Sequence, residues 1–277
     1  MSSIFENVHV WKDSVWIFLY CVAENYPKNP TLSQRKHLGY FLTSLQYVFP
    51  CKECREFYKL FLQKKPMDTI LHQTPIRFPS YSNQLYRFME KMYHPHKSLK
   101  PLPDLYQKVK TRCTTSSSKS PQIWGKYTWL FLHCITFCFP TCPTKKEIQQ
   151  HVRFFQSLTV LLPCSHCRQH LREYLQQHPI RVALEQGKQS FIKYCIDLHN
   201  FINETYTDKK KLSFSDAKRL VFDNCFQEFK KTQPNRTKQK QTPKINNTVS
   251  TKPRGKYRKG ILMDPDKPPS TSLKLKL

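Results

Sequence analysis

Residues Trp124–His133 read WGKYTWLFLH, and Trp129, His133 and Phe137 fall at i, i+4 and i+8, along one face of an α-helix. The tryptophan spacing recurs earlier: Trp11 and Trp16 are five apart, as are Trp124 and Trp129. Trp16 precedes Cys51 by 35 residues, and Trp129 precedes Cys164 by 35. Each of these cysteines follows a proline and opens a CxxC, Cys51/Cys54 and Cys164/Cys167. One offset of 113 also aligns Cys21 with Cys134, Pro27 with Pro140, Phe41 with Phe154, and Arg55 with Arg168. Cys113 and Cys225 follow with a shift of one. A gap-free match this long reads as an internal duplication of about 110 residues.

The periodicity is helical elsewhere too. Phe191, Tyr194, Cys195, Leu198 and Ile202 follow helical spacing, and alternating strands with glycine turns are missing. The expected fold class is all-α, two tandem helical bundles with the first degenerate, followed by a disordered basic tail. Helices are expected over 8–24, 32–48, 51–63, 81–93 and 102–111 in the first unit. In the second they are expected over 122–139, 144–161, 164–177, 187–207 and 215–224. The expected domains are 1–113, a linker at 114–121 (TTSSSKSP), 122–225, and the tail 226–277.

Composition excludes several classes. The 277 residues carry 46 Lys and Arg against 19 acids, a net charge of +27, with 11 cysteines and only 5 glycines. No GxGxxG or GxxxxGK[ST] phosphate loop exists. The longest apolar runs reach about a dozen residues, short of the roughly 20 a membrane span requires. Glu6, Lys12 and Asp13 interrupt the place where the apolar core of a signal peptide would lie, so a secreted disulfide scaffold is not expected. Residues 226–277 hold 14 Lys and Arg against 3 acids. Such a tail, with KPRGKYRKG at Lys252–Gly260, suits nuclear import, weak nucleic-acid contact or solubility.

A spacing of three puts both sulfurs of a CxxC on one helix face. A helix N-terminus, with its unpaired N–H groups and partial positive charge, favours the thiolate that reacts in disulfide exchange. A thioredoxin-type βαβ context is missing. The alternative is a four-cysteine zinc site stabilising a basic nucleic-acid-binding protein, although zinc half-sites usually sit closer together than 113 residues. Cys134, Cys138 and Cys195 lie on apolar faces and read as core. LHNFIN (Leu198–Asn203) sets His199 and Asn203 at i, i+4 with Asn200 beside them. Together with Trp129 and His133 these could line a pocket suited to a planar cofactor.

With WGKYTWLFLH, LPCSHCRQHL (Leu162–Leu171), LHNFIN and KLSF (Lys211–Phe214) in this order, the stretch from about Gln122 to Cys225 resembles the Erv/ALR family of FAD-linked sulfhydryl oxidases. The resemblance is to members encoded by large double-stranded DNA viruses. It implies a helical bundle around FAD, with Cys164 as the outer sulfur attacked by a substrate thiolate and Cys167 as the flavin-proximal sulfur. Gly125, Lys126, Trp129, His133, Tyr194, His199, Asn200, Asn203 and Lys211 would bind FAD, with Lys209 and Lys210 as alternatives to Lys211; no metal is implied. The implied substrates are protein dithiols, and dioxygen would take the electrons to give hydrogen peroxide. Virion proteins would be oxidised in the host cytoplasm or nucleus. In the first unit Tyr20 stands where the flavin-side histidine belongs, Lys12-Asp13 replace Gly-Lys, and Met92–Lys97 carries no HN-x-x-N. That unit is expected to keep the bundle without FAD, leaving Cys51–Cys54 as a relay, a structural disulfide or a relic. The chain would form a homodimer, or copy the family's dimer contact internally.

Overall fold

Thr31 and Thr144 open two helices with the same device. Each hydroxyl accepts the backbone N–H three residues on, and Gln34 or Glu147 reaches back to the threonine N–H. Ser120 caps another helix with Pro121 at its first position, where a missing N–H costs nothing. Such signals delimit the helices of the computed structural model, which describes residues 8–96, 98–99, 102, 104, 106–107, 117–206 and 211–221.

The first half contains α1 (Val8–Asn25), α2 (Leu32–Val48), α3 (Lys52–Lys64), α4 (Asp68–Leu71) and α5 (Phe78–Tyr93). The second contains α6 (Pro121–Phe137), α7 (Lys145–Leu161), α8 (Ser165–Gln177), α9 (Ile180–Glu185) and α10 (Lys188–Tyr206). A last helix, α11, covers 214–221. No strand occurs among the described residues, as the all-α reading expects. The short helices α4 and α9 were not expected from the sequence, because one turn or two is too little chain to show a period. Gly187 ends α9 with φ of 96°, a conformation that a side chain disfavours. The tail 226–277, Cys113, Cys225, Lys209, Lys210 and parts of the 102–111 and 215–224 helices lie outside the described residues.

The most extensive helix pairing is α2 against α7, followed by α1 against α6, and both join one half to the other. Aromatic rings fill this seam. Phe41 stacks on Phe154 at 5.7 Å, and Trp11 lies 6.0 Å from Phe131 and 5.7 Å from Phe49. All five are essentially inaccessible to solvent, so one apolar core runs through both halves. Several hydrogen bonds recur in the two halves at the offset of 113. Tyr81 donates to the Lys65 carbonyl and Tyr194 to that of His178. Arg55 Nη1 donates to the carbonyls of Phe49 and Pro50, and Arg168 Nη1 to those of Leu162 and Pro163.

One exception is His151, whose counterpart is the buried Leu38. Its ring packs edge-on against Phe139 (4.8 Å) and Phe191 (5.8 Å), and its Nδ1–H donates to the Glu147 carbonyl at 2.8 Å. Burial pushes its pKa down to about 4, against the opposing effect of that hydrogen bond. The unfolded chain therefore takes up a proton below about pH 6.5 that the folded chain refuses until about pH 4. Stability from this residue is complete above the upper value and is lost as pH falls towards the lower. His151→Leu should flatten that part of the acid limb in urea denaturation series, leaving stability at pH 8 within about 1.5 kcal/mol of the parent.

Candidate active site

Both CxxC motifs sit at helix N-termini, with the first cysteine as the cap. The sulfur of Cys164 accepts the backbone N–H of Cys167 at 3.2 Å, and that of Cys51 accepts the N–H of Cys54 at 3.0 Å. Arg168 braces the Leu162–Pro163 turn that presents Cys164. The two sulfurs of the second motif differ in access: Cys164 is half-buried, whereas Cys167 is 8% exposed. Both are thiols here. The remaining described cysteines divide by burial. It pushes the Cys21 thiol up to about 12, with Glu24 adding to the shift, and Cys195 higher still, so these two are inert core. Cys134 is also buried, Cys138 is intermediate and Cys142 is exposed.

Helices α6 and α10 pack together and bring Trp129, His133 and His199 into one cluster. The Trp129 and His199 rings are parallel within 6°, with centroids 3.9 Å apart. His133 is fully buried behind them, and its Nε2 lies 3.0 Å from His199 Nδ1. Burial, then the neighbouring His199, pushes the His133 pKa down to about 3, so the ring is neutral at physiological pH. Its Nδ1 is buried without a hydrogen-bond partner among the described residues. Gly125 lies one turn before Trp129, and a Cβ there would meet only Pro121 at 3.8 Å. Glycine inside a helix costs about 1 kcal/mol relative to alanine, and protein packing does not require it here. A flat two-ring wall, an orphaned imidazole nitrogen and an open cradle fit a planar heteroaromatic group.

The other expected ligands have partners within the chain. Asn200 is clamped to the backbone of Leu212, donating to its carbonyl at 3.0 Å and accepting its N–H at 2.7 Å. That clamp sets Lys211 beside Glu204, with a 2.9 Å ion pair at the surface. Tyr194 packs edge-on against Tyr174 and gives its hydroxyl to His178, the same prop that Tyr81 supplies in the first half. Lys126 is exposed and lies over the Tyr127 ring at 4.9 Å, and Asn203 follows His199 by one turn of α10. Among the described residues no group of three or more His, Cys, Asp or Glu is placed to hold a metal ion.

In the first half the corresponding positions hold one another. The counterpart of HN-x-x-N is Tyr86–Glu90 rather than Met92–Lys97, as the matched Tyr81 and Tyr194 bonds fix the register. Glu90, in place of Asn203, is buried and accepts the Trp16 indole N–H at 3.1 Å. Its other oxygen lies 3.5 Å from Lys12, which stands in place of Gly125. Tyr86 meets Trp16 edge-on rather than face-to-face, and Tyr20 packs at a tilt against Tyr106, with centroids 4.5 Å apart. Cys51 and Cys54 are joined as a disulfide. Tyr93, which the sequence reading did not single out, donates its hydroxyl towards both sulfurs, at 3.2 and 2.8 Å.

An all-helical bundle with a CxxC at a helix cap and a flat Trp–His wall on neighbouring helices has the parts of a helical thiol oxidoreductase. The Erv1/Alr family model matches residues 13–88 and 126–222, more than half of the chain, and the chain belongs to that family. A probable FAD-linked sulfhydryl oxidase of Acanthamoeba polyphaga mimivirus is 34% identical over 98 residues, which are 35% of this chain and 68% of the relative. An FAD-linked sulfhydryl oxidase of African swine fever virus is 28% identical over 97 residues, 35% of this chain and 78% of the relative. One from Arabidopsis thaliana is 36% identical over 53 residues, covering 19% of this chain and 28% of the relative. No solved structure matches. No helix among the described residues is long and apolar enough to cross a membrane.

The Asn200 clamp has a direct test. Asn200→Asp places an acceptor against the Leu212 carbonyl and should cost about 1–3 kcal/mol. In hydrogen-exchange mass spectrometry the segment 211–213 should lose protection while α6 to α8 keep theirs.

Proposed function

We propose that the chain is an FAD-linked thiol oxidase that forms disulfides in protein dithiols and passes the electrons to dioxygen, giving hydrogen peroxide. The observation that carries this reading is the Cys164–Cys167 helix cap, held on the same bundle as the Trp129–His199 wall in a chain of the Erv1/Alr family. In the oxidised motif, a substrate thiolate attacks the Cys164 sulfur, the more accessible of the pair. A substrate–Cys164 disulfide forms and Cys167 leaves as the thiolate. The second substrate thiol then displaces Cys164, so the substrate loses two electrons and two protons and the motif becomes a dithiol. The Cys167 backbone N–H aimed at Cys164 stabilises charge on that sulfur when it departs.

Bound FAD supplies the two-electron acceptor that reoxidises the dithiol and the donor that reduces dioxygen. Trp129, His133 and His199 would form its wall, with Gly125 leaving room for approach. Lys126, Lys211 and Asn203 would meet its polar groups, Asn200 would hold Lys211 in position, and Tyr194 would support α10. The first half, about 1–113, derives from the same ancestral unit as 122–225 and stands in for a second subunit across the α1–α6 and α2–α7 seam. Its Cys51–Cys54 bond is structural, because Tyr93 covers both sulfurs and Glu90 engages Trp16, the counterpart of Trp129. Virus-encoded relatives support action on proteins made in the cytoplasm or nucleus of an infected cell.

Purified protein should be yellow, with about one FAD per chain, and should consume oxygen when given dithiothreitol. Cys167→Ser should lower that turnover by about a hundredfold or more; unchanged turnover would refute the assigned role. Under mild reductant, alkylation and mass spectrometry should label Cys164 and Cys167 while Cys51 and Cys54 stay joined. Tyr93→Ala should speed labelling of the first motif. Rapid labelling of Cys51 in the parent would instead support a relay.

A further inference from the structure

A cavity of about 240 Å³ opens at the seam between the halves. One wall is the α1–α2 turn with Asn25, Pro27 and Gln34. The other is the end of α7 through Leu162, together with Arg168 and Arg172 of α8. Leu162 is two residues from Cys164, and two residues of chain span at most about 7 Å. An occupant of the cavity therefore sits within a short peptide stretch of the sulfur that meets substrate.

The lining mixes apolar residues such as Val160 and Leu161 with two arginines, and its charge is of one sign. No acidic side chain lines it. Gln34 accepts the Thr31 N–H on its carbonyl oxygen at 2.8 Å, which leaves its NH2 as a donor. Arg168 Nη1 is held by the Leu162 and Pro163 carbonyls. Arg172, one turn further along the same face, makes no ion pair or hydrogen bond among the described residues. The first half shows what a neutralised version looks like. There Lys59 occupies the equivalent position and pairs with Glu56 at 2.9 Å. The residue equivalent to Glu56 is Gln169, which is uncharged and bonds to Glu173 at 3.0 Å. The Asn25 NH2 is spent on the Cys21 carbonyl and the Ser118 hydroxyl, so the exposed Arg172 guanidinium and the Gln34 NH2 are the donors left, and such a pair near a reactive sulfur is suited to a carboxylate.

We propose that the seam cavity receives an acidic side chain close to the reactive cysteine of a protein substrate, with Arg172 as the residue that recognises it. This rests on the thiol-oxidase reading and adds the substrate class: dithiol segments flanked by Asp or Glu. The first half takes part in selection by supplying one wall.

The test uses the full FAD-loaded chain and three synthetic dithiol peptides, identical except for Glu, Gln or Lys two residues from the first cysteine. Dithiothreitol serves as the uncharged control. Oxygen consumption should show kcat/KM for the Glu peptide about fivefold above the Gln peptide at low salt, mainly through KM, with the Lys peptide lowest. Arg172→Ala should abolish that preference, and Arg172→Glu should reverse it towards Lys, both with dithiothreitol turnover unchanged. Equal rates for the three peptides, or a preference that survives Arg172→Ala, would overturn the proposal. Absence of turnover with dithiothreitol as well would overturn the oxidase reading itself, and this inference with it.

Discussion

The stacking of Phe41 on Phe154, with Trp11 against Phe131 beside it, is the contact on which the rest of the structure depends. Ring burial of this kind supplies large apolar area and a preferred orientation together. It fixes α2 against α7 and α1 against α6, and these four helices form the middle of the molecule. The turn after α7 presents Cys164, and α6 carries Trp129 and His133. The cavity walls also come from the ends of seam helices. Redox motif, aromatic wall and cavity are thus positioned by one slab of aromatic packing.

Two halves with the same helices reach opposite chemical states through a few side chains. In the second, Trp129 lies flat on His199 and leaves a nitrogen without a partner and a glycine cradle open. In the first, Trp16, Glu90 and Lys12 satisfy one another, so a buried carboxylate keeps its hydrogen bond and its counter-charge. The same division holds for sulfur, with Tyr93 over the Cys51–Cys54 bond and a half-open Cys164 opposite.

The long helices were legible from their apolar periods, and Thr31, Ser120 and Thr144 cap starts within a residue of those the spacing gives. The helix-capping role of each CxxC and the Trp129–His133–His199 cluster were legible from spacing and family likeness. The helices α4 and α9 were not, because their six or fewer residues do not repeat the period often enough to show it. The counterpart of HN-x-x-N was sought around Met92–Lys97, yet carrying the offset of 113 past the CxxC leads to Tyr86–Glu90. Asn200 is polar on an apolar helix, which signals a need for partners, and the spacing alone could not show that the Leu212 backbone is one of them. Tyr93 carried no signal of its own, since a tyrosine ending a helix is unremarkable until the sulfurs are found beneath it.

The side-chain plug formed by Trp16, Glu90 and Lys12 bears on the order in which the chain comes together. The half whose buried positions are filled by its own side chains is also the half the ribosome makes first. At about 5–20 residues per second, the later unit trails by several seconds to some twenty. By then every partner that the plug needs has been made, and the seam faces of α1 and α2 await theirs. The later unit then brings Phe131 and Phe154 to Trp11 and Phe41, and the shared core closes.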